Sequence, residues 1–83
     1  MDNRNTIMFD GIIKNEEKTP REILERVYEA LEDKGYNAVD QIVGYIVSGD
    51  PSYITSNQNA RNLISLIDRD DLIEEIVRFY LNK

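Results

Sequence analysis

The side chains able to do chemistry in this 83-residue chain are 16 carboxylates, 10 cations and a set of hydroxyls; there is no cysteine and no histidine. That removes the common catalytic triads, thiol chemistry and any thiolate or imidazole metal site. No disulfide can form. An adjacent carboxylate pair that invites a general-acid reading is Glu74-Glu75. Neighbouring helix residues point about 100° apart, so these two read as a solvated face and not as a paired site. No Glu-x-x-His motif is present for a di-iron carboxylate bundle. The four glycines, Gly11, Gly35, Gly44 and Gly49, stand alone and make no phosphate loop. The expectation is a chain with no catalytic residue, no cofactor and no metal.

Two kinds of residue remain of interest. Thr6 is the only hydroxyl side chain before Thr19. It is either a solvated threonine or a modification site, because disordered segments suit phosphorylation switches. Arg61, Arg69 and Arg78 are spread over two expected helices, where pairing with nearby Asp and Glu is their plain role. The alternative is that Arg61 or Arg69 receives a phosphorylated tail, since guanidinium matches phosphate geometry.

The elements that must position these residues follow from periodicity. Residues 1–18 have neither a helical nor a two-residue period and read as a flexible tail. Its apolar content is Ile7-Met8-Phe9 with Ile12-Ile13 following. Thr19-Pro20-Arg21-Glu22 is a helix start, with Thr19 as cap, Pro20 in the first turn and Glu22 closing a capping box. That helix is expected to reach about Lys34 and to stop at Gly35. Asn37 caps a second helix, Ala38 to Ser48. A buried strand is the rival there, because Ile, Val and Tyr favour sheets; the Asn and Gly caps decide for helix. Its apolar residues cover an arc of roughly 200°, against the ~100° stripe that one neighbour requires. It is therefore expected to be central, touching its own chain and a second copy. Asp40, Gly44 and Ser48 line the remaining side, as a solvent face or a place of close helix approach.

Asp50 to Asn57 reads as a connection tied to the core by Tyr53 and Ile54. A third helix is expected over Gln58 to Ile67, and a fourth follows Asp68 as cap, with Asp70 and Asp71 in its first turn. The fourth again shows an apolar arc of roughly 200°. Two such arcs in one short chain argue for a homodimer, intertwined or face to face. Val39, Ile42, Val43 and Ile46 on the second helix, and Ile73, Ile76, Val77 and Tyr80 on the fourth, are the candidate interface. Which of the two helices faces the second copy stays open. The fold expected is all-α, a four- to five-helix domain over 19–83 behind the tail.

The charge balance of −6 repels phosphate backbones and anionic lipids. A helix-turn-helix reading also fails on length: the link Gly49 to Asn57 is about twice the required turn. The first twelve residues carry Asp2, Arg4 and Asp10 and no long apolar run, so no signal peptide is expected. No apolar stretch is long enough to cross a bilayer. A cytosolic protein without nucleic-acid binding or membrane insertion is the expectation. From these residues alone, a regulatory protein and a structural or adaptor dimer with an incidental tail are both compatible, with nucleic-acid binding a distant third.

Several blocks together resemble one family. Gly35-Tyr36-Asn37, Gln41-Ile42-Val43-Gly44-Tyr45, Ser48-Gly49-Asp50-Pro51-Ser52-Tyr53-Ile54, Ala60-Arg61-Asn62-Leu63-Ile64 and Arg69-Asp70-Asp71-Leu72-Ile73-Glu74-Glu75 are similar to the IreB family of small regulatory phosphoproteins of Gram-positive bacteria. The likeness covers Thr19 to Leu81 in order. It implies a cytoplasmic, all-helical homodimer with a disordered N-terminal tail. It implies a substrate of a transmembrane Ser/Thr kinase bearing PASTA repeats, with a cognate phosphatase reversing the modification. It also implies negative regulation of cell-envelope stress responses, including intrinsic cephalosporin resistance. In that family the phosphate goes onto tail threonine just before a Phe-containing segment, which here matches Thr6 in Thr6-Ile7-Met8-Phe9. The family pattern can carry two tail threonines, and this chain has one.

Overall fold

The computed structural model describes residues 18–83; the expected tail, including Thr6, lies outside the described residues except for Lys18. Four α-helices follow in order: α1 (Pro20–Asp33), α2 (Ala38–Ser48), α3 (Ala60–Ile64) and α4 (Arg69–Leu81). Two 3-10 turns, Pro51–Tyr53 and Asn57–Asn59, connect α2 to α3. There is no strand among the described residues, so the strand reading of the Ile/Val run is set aside.

Local chemistry fixes the helix ends. The Thr19 hydroxyl accepts from the Glu22 N–H at 3.2 Å, and the Glu22 carboxylate accepts from the Thr19 N–H at 3.1 Å, closing the expected capping box. At the other end of α1, Gly35 takes φ +84. Its N–H donates to the Glu32 carbonyl and the Tyr36 N–H to the Leu31 carbonyl, the two bonds of a Schellman stop. Asn37 caps α2 through Asp40 N–H, and left-handed Gly49 ends it. Asp68 stands at the N-cap of α4, but its side chain makes no capping bond; only its carbonyl is used, by Leu72 N–H.

Two expectations need correction. The third helix does not run from Gln58 to Ile67. Gln58 and Asn59 both adopt left-handed backbone, φ 53 and 63, and α3 begins only at Ala60. The cause is a tether to α1: Asn57 Nδ2 donates to the Ala30 carbonyl at 3.0 Å and to Asp33 at 3.1 Å, and Gln58 reaches Asp33 as well. Downstream of Ile64, tighter i to i−3 bonds at Leu66 and Ile67 replace the α pattern. The second correction concerns which helix is central. α1, not α2, is the helix packed against the three other α-helices. It supplies Ile23, Val27, Ala30 and Leu31 to the core; α2 supplies only Ala38 and Tyr45, and α4 only Leu72. Ile54 from the connection and Ala60, Leu63 and Ile64 of α3 complete it. Small Ala30 and Ala60, both fully buried, leave room for those larger residues.

In the row Asp40, Gly44, Ser48 the two ends are exposed, as a solvent face would be, and only Gly44 departs from that reading. Gly44 receives the Tyr53 ring of the first 3-10 turn, and a Cβ there would overlap the ring. Gln41 Nε2 donates to the Tyr53 carbonyl at 2.9 Å, holding the same turn. The close approach is of a loop aromatic, not of a helix. Ser48 accepts from Asp50 N–H and donates to the Gly44 carbonyl, turning the chain out of α2.

Candidate interaction site

Some of the apolar residues that the small core leaves over line a groove between α1 and α2. α2 turns Val39, Ile42, Val43 and Ile46 toward α1, where Leu24 and Tyr28 form the facing wall, and Ile76 of α4 closes the end. Together they shape an open groove of about 730 Å³. Ile42 and Ile46 rest on the core at their base. Val39 is 59 % exposed and Val43 52 %, high for valine in a monomer. Glu25 and Glu29 of α1 are the charges on this groove.

A narrower notch of about 300 Å³ continues past Ile76 between α1 and α4. Leu24, Phe79 and Tyr80 line it, with Arg21, Glu25 and Glu75 at its edge. The Arg21 guanidinium lies 4.6 Å from the centroid of the Phe79 ring and 3.3 Å from Glu25. Tyr80 is 85 % exposed.

The arginines are engaged in a way the sequence did not indicate. Arg61 Nε donates to the Ile54 carbonyl at 2.8 Å, and Arg69 donates to the Ile46 carbonyl at 2.8 Å beside Gly49. Each holds a chain segment, so the expected pairing with a carboxylate is found only for Arg78, with Glu74 at 2.9 Å. Glu75 faces the notch instead, so Glu74 and Glu75 serve different surroundings. Asp50 caps the first 3-10 turn: bonding to the backbone N–H of Ser52, and then to its side chain, holds its carboxyl below the usual range, with Arg61 adding a smaller pull. The Glu32 carboxylate, by hydrogen bond and by charge, raises the Tyr28 phenol above its ordinary value. No described helix is long and apolar enough to cross a membrane.

Comparison with known proteins gives this surface its context. The sequence model of the IreB regulatory phosphoprotein family matches residues 4–82. The chain belongs to the IreB family. A UPF0297 protein of Acetivibrio thermocellus is 51 % identical over 83 residues, which is all of this chain and 91 % of that protein. The likeness seen in the central blocks therefore extends into the segment that bears Thr6.

In this IreB-family chain, five of the eight candidate interface residues, Val39, Ile42, Val43, Ile46 and Ile76, line the groove, and Tyr80 lines the notch. Ile73 and Val77 are partly exposed on α4 but line neither. The candidate phosphosite Thr6 lies outside the described residues. The groove residues missed by the sequence reading are Leu24 and Tyr28, which share the apolar stripe of α1 with the core. Their position at the edge of that stripe, four residues apart, was the available signal.

Proposed function

We propose that this protein is a phosphorylation-controlled regulator with no catalysis of its own, acting in the cytoplasm as a homodimer. Thr6 is the acceptor, a PASTA-type transmembrane Ser/Thr kinase the donor's enzyme, and a cognate phosphatase the reversal. The process regulated is the cell-envelope stress response, with intrinsic cephalosporin resistance among its outputs. The observation that carries the reading is the match to a regulatory phosphoprotein family over a span that includes Thr6. Phosphate would add about −1.5 to −2 charge to a chain already at −6. The exposed groove supports self-association through the apolar faces of α2 and α4, because a patch of that kind marks an interface more often than bare surface.

The test is mass analysis after incubation with the host's PASTA-kinase domain. One phosphate on Thr6, and none on a Thr6→Ala protein, is the expected result. Equal labelling of the Thr6→Ala protein would overturn the assignment. An unchanged cellular phenotype when Thr6 is blocked, together with loss of phenotype when the apolar faces are charged, would favour an adaptor dimer with an incidental tail. Nucleic-acid binding predicts gel retardation at low salt; none is expected.

A further inference from the structure

The side of α1 turned away from the groove carries a different surface. Arg26 stands two residues from both Leu24 and Tyr28, roughly 200° around the helix from each. With Lys18 it borders a hollow of about 290 Å³ whose other wall is Gln58, Asn59 and Asn62, with Leu63 and Leu66 beside them. None of these residues lines the groove or the notch, and none is a candidate dimer residue. The sequence gives this region an unusual charge. From Pro51 to Ile67 there is no Asp or Glu, and Arg61 is the one charged residue, in a chain that has 16 carboxylates. The groove and the notch each have glutamates on their walls, whereas the hollow has two cations and no carboxylate among its described residues. Lys18 and Arg26 also border Glu22, Glu25 and Glu29 on the other side. The two cations are therefore the seam between an acidic surface and an acid-free one.

We propose that this hollow is a docking site for a short segment of a partner protein in which an acidic side chain stands next to an aliphatic one. Arg26 and Lys18 receive the carboxylate through charge-assisted hydrogen bonds. Leu66, 61 % exposed, receives the aliphatic neighbour. Asn62 Nδ2 donates to Asn59 Oδ1 at 2.8 Å. That bond leaves a donor on Asn59 and an acceptor on Asn62, the two functions that match a peptide C=O and N–H. Gln58 reaches Asp33 at 3.4 Å, so the wall is positioned before anything binds. The volume suits roughly two side chains. A polyanion such as nucleic acid is opposed by the net charge of −6 and by the glutamates beyond the seam. A free inorganic anion would engage the cations and leave Leu66 and the amide pair unused. The site depends neither on phosphate at Thr6 nor on the proposed dimer.

The amides make the experiment direct, because each side-chain NH2 gives its own NMR signal. The full chain, labelled with nitrogen-15, is titrated with the end-capped peptide acetyl-Leu-Asp-Glu-Leu-amide. The side-chain signals of Asn59 and Asn62 and the backbone signal of Leu66 should shift saturably, while those of Val39 and Val43 in the groove stay in place. The neutral isostere acetyl-Leu-Asn-Gln-Leu-amide should bind about fivefold more weakly or worse, and a Lys18→Gln/Arg26→Gln protein should lose the acidic peptide by a similar factor. Added salt should weaken the acidic peptide and leave the isostere unaffected. Leu66→Ser should weaken both peptides. No saturable shift at Asn59, Asn62 and Leu66 overturns the site, and equal binding of the two peptides overturns recognition of the acid. Inorganic phosphate moving the same signals at the same concentration assigns the hollow to free anions and overturns the peptide reading. Because the two peptides are compared on the unmodified protein, the result stands whether or not every variant folds.

Discussion

Gly44 fixes the first connection by what it lacks. The Tyr53 ring occupies the space that a Cβ would need, while the Tyr53 carbonyl is held by Gln41. Alanine at position 44 would gain about 1 kcal/mol of helix propensity, and the displaced ring would oppose it. Gly44→Ala is thus expected to destabilise the wild type yet to stabilise a Tyr53→Ala background, with a coupling of about 1 kcal/mol or more by denaturant titration of the four proteins. Additive effects would show that the ring contact carries no energy. Asp50 acts nearby through charge. Its carboxyl is depressed by the Ser52 bonds, so its contribution is fully present above the unfolded carboxyl value of about 3.9 and disappears as pH falls through the lower folded value. Asp50→Ala should cost stability at pH 7, and the difference from wild type should shrink in titrations carried below pH 4. A difference that stays constant into strong acid would rule out the carboxylate as its source.

At the scale of elements, the helices differ in how firmly they are held. α1 has a reciprocal cap, a Schellman stop and four buried residues. Thr19→Ala should lower stability by about 1 kcal/mol, read as a shift in the denaturation midpoint. α4 sinks only Leu72 fully into the core. Leu72→Ala should cost about 2–5 kcal/mol, a large part of what a small domain possesses. Hydrogen exchange is expected to rise first and most along Arg69–Leu81, while the α1 and α3 amides keep more protection. A uniform rise would mean that α4 and α1 open as one unit. The third helix shows where periodicity was insufficient. Ala60, Leu63, Ile64 and Ile67 do recur at helical spacing, but the Asn57 and Gln58 side chains bond to α1 and hold the preceding backbone left-handed. Those partners lie 24 to 27 residues away, beyond any local pattern.

At the scale of the molecule, eleven buried apolar residues form the core among the described residues, and part of the remaining apolar surface of α1, α2 and α4 lines the groove. Val43→Glu places a charge at an exposed groove position without entering the core. It should yield a folded monomer by light scattering and circular dichroism, where the proposed homodimer predicts a dimer mass for the wild type. Ile46 packs against the core as well as the groove, so a charge there should cost both folding and association. Added salt should leave the proposed dimer intact, because apolar burial is not screened as ion pairs are. A monomer mass for the wild type would remove the dimer from the proposal.

The sequence by itself determined the helical class, the caps at Thr19 and Asn37, the stops at Gly35 and Gly49, and the excess of apolar surface. Each is set by residues within a few positions of one another, so spacing and propensity suffice to read it. Only the tertiary structure decided that α1 is the hub, that Arg61 and Arg69 serve backbone carbonyls, that Gly44 admits an aromatic ring, and that Leu24 and Tyr28 face a groove. Those outcomes depend on which of two apolar edges of a helix meets a neighbour. An amphipathic stripe specifies that a face is buried, but the identity of its neighbour follows from chain segments packing together across long sequence distances.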